Sequence, residues 1–267
     1  RVPKGQAQVA KAVQRFACVQ GSQRVASKTS AIPELLDLQD KLNALIQQLP
    51  DSNTISLKSV WEEVVNVDAD PPLAEQLAKF LDGILKTIKK IDQYQNHYRS
   101  NASNDDYAWL QRIVSGLFVP LQAKDVFEAF YKKDLAKRLI WNRVVNMDLE
   151  KQVCVLLKAE CGAGYTSKMD GMFQDIDWSR ENMRVYKESV VRPQGSVDVE
   201  VQVLTTGYWP VYPQYPNLNL PDSLKEPQEQ FATYYRTKYQ GRRMTWQFSL
   251  GHCVVRTHGF SKPYDFV

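Results

Sequence analysis

Ile32, Leu35, Leu36, Leu38, Leu42, Leu45, Ile46 and Leu49 recur at steps of three and four. That spacing gathers them on one face of a helix, and Pro33 suits its first turn. A shorter helix is expected from Ser56 to about Val67, with Val60, Trp61, Val64 and Val65 inward. Beyond Pro71-Pro72, a third helix carries the stripe Leu73, Leu77, Phe80, Leu81, Ile84, Leu85 and Ile88. Asn104-Asp105-Asp106 offers an N-cap to a fourth, which buries Leu110, Ile113, Val114, Leu117 and Phe118 and ends or kinks at Pro120.

Lys124 to Leu139 then places Phe127, Tyr131, Leu135 and Leu139 at four-residue steps. Asp148 to Glu160 buries Leu149, Val153, Leu156 and Leu157, and Gly162 and Gly164 stop it. Ser167 to Ser189 is expected to be helical, although Gly171 and Trp178-Ser179 interrupt its pattern. Helices in succession with short loops predict an antiparallel bundle or stacked helical repeats.

The period changes near Pro193. Val197 to Val203 alternates apolar and polar, which predicts a strand with Val197, Val199, Val201 and Val203 on the core side and Asp198, Glu200 and Gln202 opposite. A proline-rich crossing follows, then a helix from Ser223 to Tyr239 anchored by Phe231, Tyr234 and Tyr235 and stopped by Gly241. Met244 to Leu250 alternates again, and an extended stretch resumes at Cys253 to Val255. The fold class is therefore mainly α, with a small α/β or α+β unit at the end.

The 267 residues allow one large domain or two modest ones, and 43% hydrophobic content excludes a disordered chain. A net charge of +4 is too small to argue nucleic-acid binding alone. The longest uncharged stretch, Val201 to Pro221, contains Pro210, Pro213, Pro216 and Pro221, so a membrane helix is not expected there. The first residues lack the apolar run of a secretory signal, so a soluble, intracellular protein is expected, and Tyr264 to Val267 runs on as if the sequence were part of a longer one.

Catalytic chemistry finds no foothold. The sequence has neither a GxSxG elbow nor a GxxxxGK[ST] loop. Cys161-Gly-Ala-Gly164 ends a helix, whereas a phosphate cradle must follow a strand. Cys18, Cys154, Cys161 and Cys253 form no CxxC pair, and His252 and Cys253, being adjacent, would diverge on a strand. No metal or cofactor is expected. Two clusters are basic: Lys124 to Arg143, and Arg236 to Arg243, which holds four cations and no acid. Each is a solvated face or a partner-binding patch.

The run Lys124-Asp-Val-Phe-Glu-Ala-Phe-Tyr-Lys-Lys-Asp-Leu-Ala-Lys-Arg-Leu139 resembles the most recognisable sequence of the cullin family. Four further stretches match in the same order. These are Glu160-Cys-Gly-Ala-Gly-Tyr-Thr-Ser-Lys168 with Gly171-Met-Phe-Gln-Asp175, Val203-Leu-Thr-Thr-Gly-Tyr-Trp-Pro210, Tyr239-Gln-Gly-Arg-Arg243 and Leu250-Gly-His-Cys-Val254. Pro33 to Leu42 looks like a helix of the family's repeats. The wording is nearest the fourth subtype, whose members pair with propeller-type adaptors, although Pro50 to Asn53 and Ile91 to Asn104 depart from it, as in a divergent homologue.

The resemblance implies a non-catalytic scaffold of a ubiquitin ligase, located in nucleus and cytoplasm. It divides the chain into the end of the repeat region (1–50), a helical bundle (51–195) and part of the cullin-homology α/β unit (196–267). It implies a RING-box protein as partner, joined by strand addition. The candidate docking residues are Val197, Val199, Val201, Val203, Thr245, Trp246, Gln247, Phe248 and Ser249. It implies a ubiquitin-conjugating enzyme as second partner. Its candidate contact is a basic patch of Lys132, Lys133, Lys137 and Arg138, expected on the outer side of their helix. The family's adaptor site, and the winged helix that accepts the neddylation modifier, are expected to lie outside this sequence. Two rivals remain: a helical module binding an acidic partner or nucleic acid through the basic clusters, and an enzyme using Cys161 or carboxylates.

Overall fold

The computed structural model describes residues 5–26, 31–48, 57–86, 106–190, 197–215, 218–256, 262 and 265–266. The chain is mainly α-helical and divides into two compact units, 1–170 and 171–267. Leu49, Ser56, Ile88, Asn104, Asp105 and Pro193, which figured in the expected elements, lie outside the described residues.

In the first unit, α1 (Gly5–Ala26) packs against α2 (Ala31–Gln47) and α3 (Lys58–Val65). The apolar pattern does not single out α1. It is held by close approach: a Cβ on Gly21 would lie 2.4 Å from the side chain of Val64, which is itself fully buried. The predicted stripe of α2 is buried at Ile32, Leu35, Leu36, Leu38, Leu42 and Ile46, whereas Leu45 faces outward. Helix α4 (Leu73–Leu85) begins directly after Pro72.

Helix α5 (Asp106–Ile113) widens into a π-helical turn, Val114–Phe118, before Pro120. The turn is closed by Val119 N donating to Val114 O at 2.9 Å, and Trp61 Nε1 donates to its Gly116 carbonyl at 2.7 Å. Helix α6 (Lys124–Ile140) packs on α4 and buries Phe127, Tyr131, Leu135 and Leu139, as their spacing predicts. Helix α7 (Met147–Cys161) starts where Asn146 Oδ1 accepts from Asp148 N and Leu149 N. It stops at Gly162, whose φ of 84° is open to glycine.

Helix α8 (Ala163–Ser189) starts four residues earlier than its pattern predicts and continues through Gly171 and Trp178-Ser179. Its part in the second unit packs with α9 (Asp222–Lys238) around Met183, Tyr186, Val201, Phe231 and Tyr235. Among the described residues the strands are β1 (Val255–Arg256) and β2 (Asp265–Phe266), antiparallel with Val255 opposite Phe266.

The two strands expected at 197–203 and 244–250 are therefore corrected. Residues 197–203 run without regular secondary structure, and Met244 to Gln247 leads into a 3-10 turn, Phe248–Leu250. Alternation reports which side of an extended segment is buried, while a strand also needs a ladder partner. Here the partner surface is helical.

Candidate functional site

The sequence-predicted docking segments converge in the second unit. Val201 is 9% exposed within the core cluster, and Val199, Val203, Met244 and Trp246 pack against it. The Trp246 ring centroid lies 6.3 Å from that of Phe231, in an edge-on arrangement. Val197 departs from the expectation: it is 41% exposed, because the apolar seat ends before the segment does. Thr245 is exposed, and Gln247, Phe248 and Ser249 are half-buried, with Gln247 Nε2 donating to Ser249 Oγ at 2.6 Å.

A polar ridge on α8 that the apolar pattern did not reveal holds Val203, at the end of the first segment, and Thr205 and Trp209 beyond it. Asp175, Ser179 and Asn182 stand at i, i+4 and i+7, one helix face, and all three are buried. Asp175 accepts from Thr205 N at 2.6 Å, Thr205 Oγ1 at 2.8 Å and Trp209 Nε1 at 2.7 Å. Ser179 Oγ accepts from Val203 N at 2.8 Å and donates to Val203 O at 3.0 Å, standing in for one rung of a ladder. Asn182 Oδ1 accepts from Lys238 Nζ at 3.2 Å and Tyr239 OH at 3.2 Å. The signal was present in sequence: three polar residues at core spacing in a helix are positioned to hold a neighbour's backbone.

The same face carries ordered cations. Lys238 Nζ lies 5.3 Å from the Tyr234 ring centroid and 5.5 Å from that of Tyr239. The Arg242 guanidinium lies 5.2 Å from both the Trp178 and Tyr239 rings. These contacts hold long cationic side chains in place. The hydroxyl of Tyr234 accepts from Lys238 Nζ at 2.9 Å, which favours the charged ammonium and raises the pKa of Lys238.

The second predicted site, on α6 in the first unit, is corrected at one residue. Lys133 and Lys137 are exposed, and Lys132 is half-buried at 3.8 Å from Glu128. Arg138 is fully buried and absent from the surface. Its Nε and Nη2 donate to Glu150 at 2.5 and 2.8 Å, and its Nη1 donates to Asp82 at 2.6 Å. The reason is spacing: Arg138 follows Tyr131 by seven residues and Leu135 by three, so it lies on the core stripe of α6. Glu150 stands three residues before Val153 and seven before Leu157, on the core stripe of α7.

Burial pushes up the thiol of Cys154, with the Glu150 charge adding to it, and does the same to the Tyr131 phenol. Cys161 is half-buried and its thiol is also raised, first by burial, which works against a thiolate nucleophile. Among the described residues no group of three His, Cys, Asp or Glu side chains could hold a metal ion, and no helix is long and apolar enough to cross a membrane.

Residues 2–183 match the family description of the cullin alpha solenoid domain, and residues 203–267 that of the cullin alpha+beta domain. Mouse Cullin-4A is 36% identical over 230 residues, covering 84% of this chain and 29% of the relative. Cullin-4 of Dictyostelium discoideum is 34% identical over 235 residues, with 86% and 28% covered. Cullin-3 of the same organism is 33% identical over 236 residues, with 86% and 29% covered. The chain thus spans under a third of the length of the curated relatives it matches.

Proposed function

The chain belongs to the cullin family, and from that premise we propose that it is a non-catalytic scaffold segment of a cullin–RING ubiquitin ligase. Its work is positional: the second unit docks a RING-box protein, and the RING-box protein recruits the ubiquitin-conjugating enzyme. The carrying observation is the pair of segments at 197–203 and 244–247. Each is seated by its apolar positions on helices, yet neither belongs to a strand ladder among the described residues. A partner strand would supply the ladder, backbone pairing would give affinity, and alternate side chains near Trp246 and Phe248 would give fit.

Lys133 and Lys137, with Lys132 beside them, form the cationic face that steers an acidic segment of the conjugating enzyme. Adaptor binding and neddylation belong to the longer relatives' remaining length, and a nuclear and cytoplasmic location goes with the same reading.

The test is co-purification of this chain with a RING-box protein, alongside a proline scan at Val199, Val201, Thr245, Gln247 and Ser249. A proline at a ladder-donating position removes a hydrogen bond and weakens the complex. Variants count only where circular dichroism shows the parent's helix content. Failure of the parent to co-purify, equal binding by every folded variant, or a ubiquitin thioester at Cys161 would overturn the reading.

A further inference from the structure

The stretch from Gln230 to Tyr264 carries the positive charge of the whole chain. Arg236, Lys238, Arg242, Arg243, Arg256 and Lys262 stand there with no Asp or Glu among them, and without these six cations the net charge of +4 would be −2. Two have a local reason. Arg236 and Lys238 lie in the last turn of α9, where cations suit the negative end of the helix dipole. Arg242 and Arg243 follow the helix, beyond Gly241, and that reason does not reach them.

Arg236, Lys238, Arg242 and Arg243 are exposed, and among the described residues none of the four is paired with a carboxylate. On α8, which Lys238 meets at Asn182, the acids are already engaged: Arg184 holds Glu181 at 2.6 Å and Glu188 at 2.7 Å. Two of the cations are nevertheless fixed, because the Tyr239 ring is shared by Lys238 and Arg242 and the guanidinium also lies against Trp178. Lys238 directs its hydrogen bonds to Asn182 and Tyr234 and so contributes a field. Arg242 has no hydrogen-bond acceptor among the described residues. Its forked N–H donors match a carboxylate in two parallel bonds.

We propose that Lys238, Arg242 and Arg243 form a docking surface for an extended acidic peptide, a run of Asp and Glu side chains on a partner protein. Carboxylates meet the two arginines, and Lys238 adds to the attraction. The rings hold Lys238 and Arg242 before the partner arrives, so less side-chain entropy is lost on docking. Two other anionic partners fit less well. Single-stranded nucleic acid stacks its bases on open aromatic faces, and Trp178 and Tyr239 already carry cations. A compact phosphate favours the free N–H groups of a helix N-terminus, and this surface lies at the C-terminal end of α9. The surface belongs to the second unit and shares no residue with the α6 face or the RING-box candidates, so it stands without either assignment.

The experiment titrates the full 267-residue chain into a fluorescently labelled deca-glutamate peptide and follows anisotropy. Because the α6 face also attracts acidic segments, the titration is made in the Lys133→Glu, Lys137→Glu variant. The expected result is saturable binding that persists in this variant, weakens with added salt, and falls about tenfold when Arg242→Glu and Arg243→Glu are added. Both arginines are exposed, so the melting temperature is expected to hold. If reversal lowers it, Arg242→Gln with Arg243→Gln removes the charges more gently and should still weaken binding. A labelled oligothymidine and inorganic polyphosphate are the comparison probes, each expected to bind more weakly than the peptide. No peptide binding once α6 is reversed, binding indifferent to both arginine variants, or tighter binding of either comparison probe overturns the proposal.

Discussion

Arg138 shows how a single residue can be misassigned when charge is read before position. Its neighbours Lys132, Lys133 and Lys137 make the stretch look like one basic face. Spacing from Tyr131 and Leu135 puts the guanidinium among core side chains, where Glu150 and Asp82 meet it. The complementary acid was legible too, since Glu150 occupies a core position of α7 with the opposite charge. Sequence could not pair the two, because α6 and α7 must first be packed. Removing one partner of a buried ion pair leaves the other charge desolvated. We expect Arg138→Met to cost about 3–5 kcal/mol, read as a lower urea midpoint, and Arg138→Met with Glu150→Leu to recover much of that loss. A single variant as stable as the parent would show that Glu150 is hydrated or neutral.

At the scale of elements, helices were legible because 3.6-residue periodicity and local caps are written in contiguous sequence. Thus α6 and α7 begin and end within about one residue of expectation, and α4 begins where Pro71-Pro72 predicts. Helix α1 was not, since its apolar positions form no stripe and its seat depends on Gly21 meeting Val64. The two alternating segments gave the correct buried side at Val199, Val201 and Val203 and the wrong element, because pairing is non-local. Burial therefore predicts how substitutions behave better than strand membership does. Val201→Asp should cost about 3 kcal/mol, as a charge would enter the cluster of Tyr186 and Phe231 unpaired. Val197→Asp, on an exposed position, should stay within about 0.5 kcal/mol. Thermal melts of both variants test the contrast, and equal losses would contradict it. On α6, reversing Lys133 and Lys137 to Glu should slow association with an acidic conjugating enzyme, more at low salt than at high. A rate indifferent to both changes would remove this face from the interaction.

At the scale of the whole molecule, family and fold class were legible from five ordered motifs and the change of period near Pro193. The buried ionisable groups were not legible, because burial of a thiol or phenol is a product of packing. They make a prediction about the entire chain. Cys154, Tyr131 and Tyr165 all have pKa values raised above their usual ones, burial being the largest cause in each. A group whose folded pKa exceeds its unfolded one gives stability that is complete below the unfolded value and lost as pH rises toward the folded value. For Cys154 that loss begins near the ordinary thiol value of 9.0, and for the tyrosines near 10.0. Above those points the unfolded chain has released protons that the folded chain keeps, so each fully retained proton lowers stability by about 1.4 kcal/mol per pH unit. Urea midpoints should be level from neutral pH to about 8.5, fall above 9 and fall more steeply above 10. Cys154→Ala should make the fall between pH 9 and 10 shallower, the raised thiols of Cys161 and Cys18 supplying what remains, whatever it does to the baseline. A midpoint flat across the alkaline range, or a slope between pH 9 and 10 unchanged in Cys154→Ala, would mean that Cys154 ionises as freely in the folded chain as in the unfolded one.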